Sequence, residues 1–254
     1  MTESRTADVV GNNFRKLRLH DMDAAMLTLS INYEVGDQPL VQSAMGLASQ
    51  AHRDQTRPGQ NGTAEPYIAH PLRNTLRLIR FNCRDEEVLA AAVLHDTVED
   101  QPVRLVELMD GDHSASPPAE ATRLLATLFN TTVSDTVWAV TNPPRPAGLS
   151  KEQKNTAYVE HVKAVIADPR VFLVKVTDFI DNAGSLSALT DLDKRNRLRA
   201  KYAPLVPIFQ QMALRHGTEL GLHPEGLERL TRCLDMLSES LRDESESAQG
   251  SQAD

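Results

Sequence analysis

An octapeptide near the middle of the chain, residues 93–100 (VLHDTVED), concentrates the side chains best suited to chemistry. Its polar members include His95, Asp96, Glu99 and Asp100. On a helix, Glu99 lies one turn after His95 and Asp100 one turn after Asp96, so these groups line one side while apolar neighbours face the core. An imidazole and three carboxylates placed so close together attract a cation.

Two further polar residues extend this set. Asp178 ends a mostly apolar stretch, residues 171–178 (VFLVKVTD), and a carboxylate there carries a desolvation cost unless a cation pairs with it. His70 lies at the start of another apolar, helix-like stretch. Together with His95 and Asp96, these residues offer two imidazoles and two carboxylates. This donor set suits manganese, iron or zinc, because no thiolate biases the choice.

The hydrophobic pattern predicts that helices position these residues and that no sheet is present. Asp85, followed by two glutamates, is typical of an N-cap, so one helix should run from there through the octapeptide and end at Pro102. Pro39 suits the first turn of an earlier helix, and Ser150 with Gln153 matches a capping box. The predicted fold class is all-α.

Turn-forming residues predict where the helices are interrupted. Residues 57–63 (RPGQNGT) indicate a loop, and residues 142–146 (NPPRP) indicate a stiff, extended rim or lid segment. Residues 111–119 should form an exposed connector. Two prolines should bend or split the helical segment 192–216.

The composition and charge limit the partners and the location that the sequence predicts. The 254 residues carry a formal net charge of -8, which argues against an electrostatically driven nucleic-acid or membrane surface. No apolar run is long enough for a secretion signal or a membrane span. Cys83 and Cys233 lack the spacing of a metal knuckle and are too few for a disulfide framework. We therefore predict a soluble, cytoplasmic protein.

Four motifs resemble one family of enzymes. His70-Pro71, His95-Asp96 and Asp178 resemble the H…HD…D metal-binding pattern of the HD phosphohydrolase superfamily. The match is more specific than this superfamily, because the order and spacing of four segments resemble those of the hydrolase domain of RelA/SpoT-type alarmone enzymes. These segments are residues 51–57, 65–71, 94–100 and 174–182. The resemblance implies an HD-domain helical bundle of about ten helices.

The resemblance also implies roles for the residues of the site. One manganese ion per chain, with Fe2+ or Zn2+ as alternatives, would be held by His70, His95, Asp96 and Asp178. Glu99 and Asp100 would orient or deprotonate the attacking water. Such an enzyme removes the 3′-pyrophosphate from (p)ppGpp and gives GDP or GTP plus pyrophosphate. A small-molecule nucleotide would then be the only partner implied, and the oligomeric state is left open.

Substrate contacts follow from the same resemblance, together with the departures from it. Arg57 would lie near the guanine base, Asn182 near the ribose with Ser185 as a neighbouring hydroxyl, and Lys175 is a cation that could reach the phosphates. The second basic residue of the family's loop is replaced by Pro58, and four extra residues follow.

The segment after Asp178 departs further from the family. The family pattern there is Arg-Leu-His-Asn-Met-Arg-Thr, whereas residues 179–185 read FIDNAGS, which removes two cations and a histidine. Loss of cations beside a polyphosphate weakens its binding. Two alternatives therefore stay open. The first is a related HD metallophosphohydrolase that acts on an adenine alarmone or the 2′-phosphate of NADPH, and the second is a non-catalytic nucleotide-binding regulator.

The chain is expected to divide into four parts. These are an N-terminal arm with a short helix (1–36), the HD hydrolase domain (37–210), a C-terminal helical extension packed on the same domain (211–242) and a disordered tail (243–254). No synthetase-like or regulatory segment is recognised, so the chain resembles a stand-alone small alarmone hydrolase. Trp138 and Phe172 lie in apolar helical patterns and are predicted to be core residues, whereas His161 is predicted to be at the surface.

Overall fold

The computed structural model describes residues 11–36, 38–59, 63–143 and 148–250, with side chains as far as residue 242. Within these ranges all regular secondary structure is helical apart from one two-stranded hairpin. This confirms the predicted all-α fold class. No helix in the described part of the chain combines the length and the apolar character needed to cross a bilayer.

The helices are numbered here in chain order. They are α1 (Ala24–Val35), α2 (Pro39–Ala51), α3 (Ala69–Arg80), α4 (Glu86–Leu94), α5 (Thr97–Asp100), α6 (Pro102–Leu108), α7 (Pro117–Leu128), α8 (Thr131–Val140), α9 (Lys151–Val165), α10 (Pro169–Gly184), α11 (Leu192–Tyr202), α12 (Leu205–His216) and α13 (Pro224–Gly250). Short 3-10 turns occupy Leu19–Asp21, Leu186–Ala188 and Gly217–Leu220. The predicted N-cap at Asp85 and the capping box at Ser150 and Gln153 are both confirmed.

The centre of the molecule is formed by α3, α4 and α10. Helix α4 contacts α2, α3, α8 and α10, and every residue from Val88 to Leu94 is buried. In α10, Phe172 is fully buried, which confirms its prediction as a core residue. Each such aliphatic or aromatic side chain contributes about 1.5 to 3 kcal/mol through burial. Helix α10, which carries Asp178, and helix α4, which ends directly before His95, are therefore fixed by the core itself.

The octapeptide does not form one continuous helix, so this part of the prediction was wrong. Helix α4 ends at Leu94, and α5 begins at Thr97. Side chains take the carbonyls needed to continue α4, because His95 Nδ1 donates to the Ala92 oxygen and Thr97 Oγ1 donates to the Leu94 oxygen. Such bonds compete with the backbone ladder of a helix. The resulting turn carries His95 and Asp96.

A small hairpin replaces part of the predicted loop at residues 57–63. Strand β1 (Thr56–Pro58) pairs antiparallel with β2 (Ala64–Pro66), with Arg57 opposite Glu65. The expectation of no sheet was therefore wrong by this one element. Strands of three residues are too short to show a readable alternation of polar and apolar residues. Residues 60–62 lie outside the described residues.

The C-terminal part follows the prediction up to its last turns. The segment 192–216 splits at Pro204 into α11 and α12, as expected from a proline inside a helix. Helix α13 runs to Gly250, whereas residues 243–254 were predicted to be disordered. Extending an existing helix costs far less than starting one, and the segment contains the good helix formers Glu, Ala and Gln. Residues 251–254 lie outside the described residues, and the division into four parts stays a prediction.

Candidate metal centre and active site

Four side chains from three parts of the chain converge at one point. His70 Nε2 lies 3.1 Å from Asp178 Oδ1 and 3.7 Å from Asp96 Oδ2, and His95 Nε2 lies 3.6 Å and 3.0 Å from the same two oxygens. Ligands bound at about 2.1 Å to one ion lie about 3.0 to 3.4 Å apart in octahedral or tetrahedral geometry. The predicted residues thus have the spacing of one divalent-ion site.

Each of these residues is positioned by a different feature of the fold. His70 lies in the first turn of α3, His95 and Asp96 form the turn between α4 and α5, and Asp178 lies inside α10. Because α3, α4 and α10 pack against one another, residues far apart in sequence meet. The break after Leu94 is what presents His95 and Asp96 together.

The protonation of both histidines fits a metal site. His95 Nδ1 donates to a backbone carbonyl, and His70 Nδ1 donates to Asp181 Oδ2, 2.7 Å away. A carbonyl or carboxylate oxygen only accepts, so each Nδ1 carries a proton, and Nε2 is the ring nitrogen of each histidine that can bind an ion at the centre. His95 Nε2 is buried 3.0 Å from Asp96 Oδ2 without the geometry of a hydrogen bond to any described residue, an arrangement that a metal ion bound by both atoms would relieve. His70, His95 and Asp178 alone could already hold an ion.

Asp181 is a site residue that the sequence did not reveal. It is fully buried and accepts hydrogen bonds from His70 Nδ1, Arg73 Nε and Arg77 Nη2. Burial alone would raise the pKa of Asp181, but the charge of Arg77 and the His70 hydrogen bond hold it well below its usual range. Asp181 therefore fixes the orientation of His70, as carboxylates behind metal-bound histidines do. The available signal was a carboxylate three residues after Asp178 with two arginines on α3.

Asp96 has a comparable support on the side of the hairpin. Tyr67 donates its hydroxyl to Asp96 Oδ2 at 2.7 Å. Burial, followed by the negative charge of Asp96, raises the pKa of Tyr67, so the phenol keeps its proton and stays a donor. His52, which is buried, stacks on the Tyr67 ring with centroids 4.7 Å apart. The loop before α3 is thereby held against the centre.

Glu99 and Asp100, the two carboxylates predicted to orient or deprotonate water, are exposed and differ in their hydrogen bonds. Glu99 accepts hydrogen bonds from the backbone and side-chain nitrogens of Asn142, so both of its oxygens are engaged. Asp100 Oδ2 accepts from Gln55 Nε2 at 2.9 Å, and its Oδ1 has no partner among the described residues. Asp100 therefore keeps one oxygen that can accept a proton, while Glu99 is fixed in orientation.

Three of the four predicted substrate residues lie near the metal centre. Arg57 Nη2 donates to Asn182 Oδ1, and Asn182 Nδ2 donates to Asp178 Oδ1 at 2.6 Å. Ser185 lines a small cavity together with Arg57. The hairpin is thereby connected to the ligand-bearing helix α10 through one asparagine. Their roles toward a substrate stay predictions.

Lys175 does not suit its predicted role. Its side chain is buried, and Nζ donates to the Val140 oxygen at 2.7 Å. Lys175 lies three residues before Asp178, on nearly the same face of α10, but the hydrogen bond to Val140 holds its amine at the end of α8. We therefore correct the prediction: Lys175 ties α10 to the end of α8 and is not exposed to a substrate.

A cleft of about 840 Å³ adjoins Glu99 and contains two residues whose burial differs from the prediction. Trp138 is 51% exposed and lines the cleft, because Val137 and Val140 occupy the buried face of α8. His161, predicted at the surface, is half-buried in the cleft wall, and its Nε2 has no hydrogen-bond partner in the part of the chain that the structure describes. The predictions for these two residues were therefore wrong.

Fold and site together define a class: an all-α domain whose buried histidines and aspartates can hold a divalent ion. The chain belongs to the HD domain family, whose model matches residues 44–219. This match covers most of the region that carries the four motifs.

Curated relatives are similar to much of this chain. A guanosine-3′,5′-bis(diphosphate) 3′-pyrophosphohydrolase of Aquifex aeolicus is 29% identical over 198 residues, which are 75% of this chain and 25% of the relative. The bifunctional (p)ppGpp synthase/hydrolase SpoT of Escherichia coli K12 is 29% identical over 180 residues, 68% of this chain and 22% of SpoT. The chain thus spans about a quarter of the length of these curated relatives.

A solved structure agrees on the fold. It is described as "A metazoan ortholog of SpoT hydrolyzes ppGpp and plays a role in starvation responses". The match has a TM-score of 0.57 and 22% identity, and it covers 80% of this chain and 96% of the other. At this identity the likeness supports the shared helical fold alone.

Proposed function

We propose that this chain is a metal-dependent hydrolase that removes the 3′-pyrophosphate from (p)ppGpp, giving GDP or GTP and pyrophosphate. The observation that carries the proposal is the convergence of His70, His95, Asp96 and Asp178 beside Asp100. The names of the Aquifex and Escherichia relatives support this choice of reaction. A small-molecule nucleotide is then the partner of the site.

Manganese is the proposed ion, with Fe2+ and Zn2+ as alternatives for the same nitrogen and oxygen donors. It would be held by the two Nε2 atoms and the two aspartates. When bound, such an ion offsets negative charge on the phosphate and lowers the pKa of water from about 15.7 towards 7. Asp181 and Tyr67 keep the ligands in place through their hydrogen bonds.

Asp100 and Glu99 are proposed to have different roles toward the attacking water. Asp100 has an unengaged Oδ1 and is proposed to accept the proton of the attacking water. Glu99 is fixed at both oxygens by Asn142 and is proposed to orient that water. Both groups are exposed, so each retains access to solvent-derived water.

The hairpin is proposed to hold the nucleoside. Arg57 is only partly exposed and lies beside Asn182 and Ser185 at the edge of the metal centre. A nucleotide placed there would have its ribose at Asn182 and its base at Arg57. The substrate would then lie across the opening between the hairpin and α10.

The decisive experiment is product analysis with purified protein. Incubation with ppGpp and manganese should give GDP and pyrophosphate, whereas an Asp96→Ala variant should give neither. Asp135→Ala is the matched control, because Asp135 is an exposed acid on α8 away from the centre. An active Asp96→Ala enzyme would refute the proposed metal mechanism.

A second candidate is hydrolysis of another nucleotide by the same centre. It is favoured by the segment 179–185, in which Asp181 is buried as a support for His70 instead of offering a substrate contact. A panel of ppGpp, an adenine alarmone and NADPH, with products identified by mass, separates the candidates. Tight binding of ppGpp without turnover of any member would instead support the regulatory alternative.

A further inference from the structure

A second cleft, of about 710 Å³, is lined by six arginines and one carboxylate. We call it the arginine cleft, and its cations are Arg15, Arg77, Arg80, Arg84, Arg229 and Arg232. Its single acid is Glu34. Such a concentration is notable in a chain whose formal net charge is -8, because the surface as a whole repels anions.

Two of these cations have no carboxylate partner among the described residues. Arg80 donates to the backbone oxygens of Phe14 and Leu17, and its Nε is buried without a hydrogen-bond partner. Arg84 donates only to the backbone oxygens of Ile79 and Cys83. Burial lowers the pKa of Arg80, and the charge of Glu34, which opposes this shift, does not cancel it. A bound anion would compensate both charges.

Arg232, at the rim, is only weakly committed to another group. It pairs with Glu228 one turn away on the exposed face of α13. Exposed pairs of this kind contribute about 0 to 1 kcal/mol, so the Arg232 guanidinium can turn towards a ligand at little cost. Arg229 lies 3.9 Å from Glu225 and donates Nη1 to the Arg80 oxygen at 3.0 Å, which fixes it at the edge of the cleft.

The arginine cleft is separate from the metal centre. Arg77 lies between them, and its guanidinium is occupied by Asp181 and Asn74. The other walls are apolar and include Phe81 and Met236. A ligand here would meet guanidinium forks, which match phosphate oxygens, and a hydrophobic surface beside them.

We propose that the arginine cleft is a binding site for a small multivalent phosphate anion. Two sources share this chemistry: inorganic polyphosphate, and the phosphates of a nucleotide whose ring would lie against the apolar wall. The site is distinct from the proposed hydrolysis, because none of the proposed metal ligands lines it and Arg77, which borders both, is occupied by Asp181 and Asn74.

Calorimetric titration tests the site directly. Full-length protein in EDTA, which keeps the metal centre unloaded, is titrated with inorganic tripolyphosphate and, in a second arm, with GDP. Tighter binding of GDP would identify a nucleotide as the source, and equal or tighter binding of tripolyphosphate would identify inorganic phosphate. Absence of binding heat for both probes at millimolar concentration would overturn the proposal.

Variants locate the binding. Arg84→Gln should raise the Kd about tenfold, the loss expected for one charge-assisted contact. Arg232→Glu, at an exposed position, tests the same cleft without touching the packed core, and should weaken binding at least as much. Arg170→Gln on α10 is the matched control and should leave the Kd unchanged. Binding that neither Arg84→Gln nor Arg232→Glu alters would place the anion elsewhere and refute the proposal.

Discussion

Asp181 Oδ2 lies 2.7 Å from His70 Nδ1, and this bond makes a residue outside the predicted ligand set part of the metal centre. The carboxylate fixes the His70 proton on Nδ1 and turns Nε2 towards Asp96 and Asp178. It is itself held by Arg73 and Arg77 from the same helix as His70.

Replacement of Asp181 by asparagine should weaken the metal centre while leaving the four ligands in place. Loss of such a supporting carboxylate typically costs about 10- to 100-fold in metal affinity or activity. The buried arginines would also lose their counter-charge, at about 3 to 5 kcal/mol of unfolding free energy. Manganese titration and chemical denaturation measure the two effects. Asp193→Asn, at an exposed position on α11, should change neither, and wild-type metal affinity in Asp181→Asn would contradict the role.

Metal removal should abolish activity and lower stability together. Dialysis against EDTA is expected to stop hydrolysis, and manganese should restore it. An ion present at 100 times its Kd stabilises the folded state by about 2.7 kcal/mol, which thermal unfolding detects. Asp178→Asn lacks a ligand and should show little of this stabilisation. If manganese raised the Tm of Asp178→Asn as much as that of the wild type, the ion would have to bind elsewhere.

Asp100→Asn should lower kcat more than it changes KM. A positioned general base contributes about 10²- to 10⁴-fold, and the amide cannot accept a proton. Manganese affinity should stay at the wild-type value, because Asp100 is not among the proposed ligands. Steady-state kinetics with a parallel metal titration gives both numbers. The assignment fails if kcat is unchanged.

Asn142→Ala tests the different role proposed for Glu99. The variant removes the amide that donates to both Glu99 oxygens but leaves the backbone donor. We expect a smaller loss of kcat than in Asp100→Asn, because Glu99 keeps its charge and loses only its fixed orientation. The kinetics of the double variant Asn142→Ala/Glu99→Gln should resemble those of Glu99→Gln. Independent, additive losses would contradict the link between the two residues.

Gly226→Ala should destabilise the contact between α13 and the end of α3. A Cβ at this position would lie 1.8 Å from the Phe81 carbonyl oxygen, so the backbones must move apart. Overpacking of this kind costs about 1 to 3 kcal/mol. Gly46→Ala is the control: nothing lies within 4 Å of its added Cβ inside α2, and alanine should stabilise that helix by about 0.5 to 1 kcal/mol. Unfolding of both variants in denaturant measures these two changes in the free energy of unfolding.

The sequence alone determined the helical class, several helix boundaries and the identity of the metal-ligand candidates. Periodicity and capping are local properties, so Asp85, Ser150 and Pro204 mark boundaries that the structure confirms. His70, His95 and Asp178 were recognisable because residue type and local sequence motif can be read without the fold. Their convergence into one group that could hold an ion follows from the packing of three helices.

Tertiary structure decided what depends on partners distant in sequence. Asp181, 111 residues after His70, acquires its role only when α10 packs on α3, and Lys175 loses its predicted role because it meets the end of α8. Trp138 is exposed because the core covers the opposite face of α8. The physical reason is the same in each case: the free energy of a charged or aromatic side chain is set by neighbours that the chain brings together only on folding.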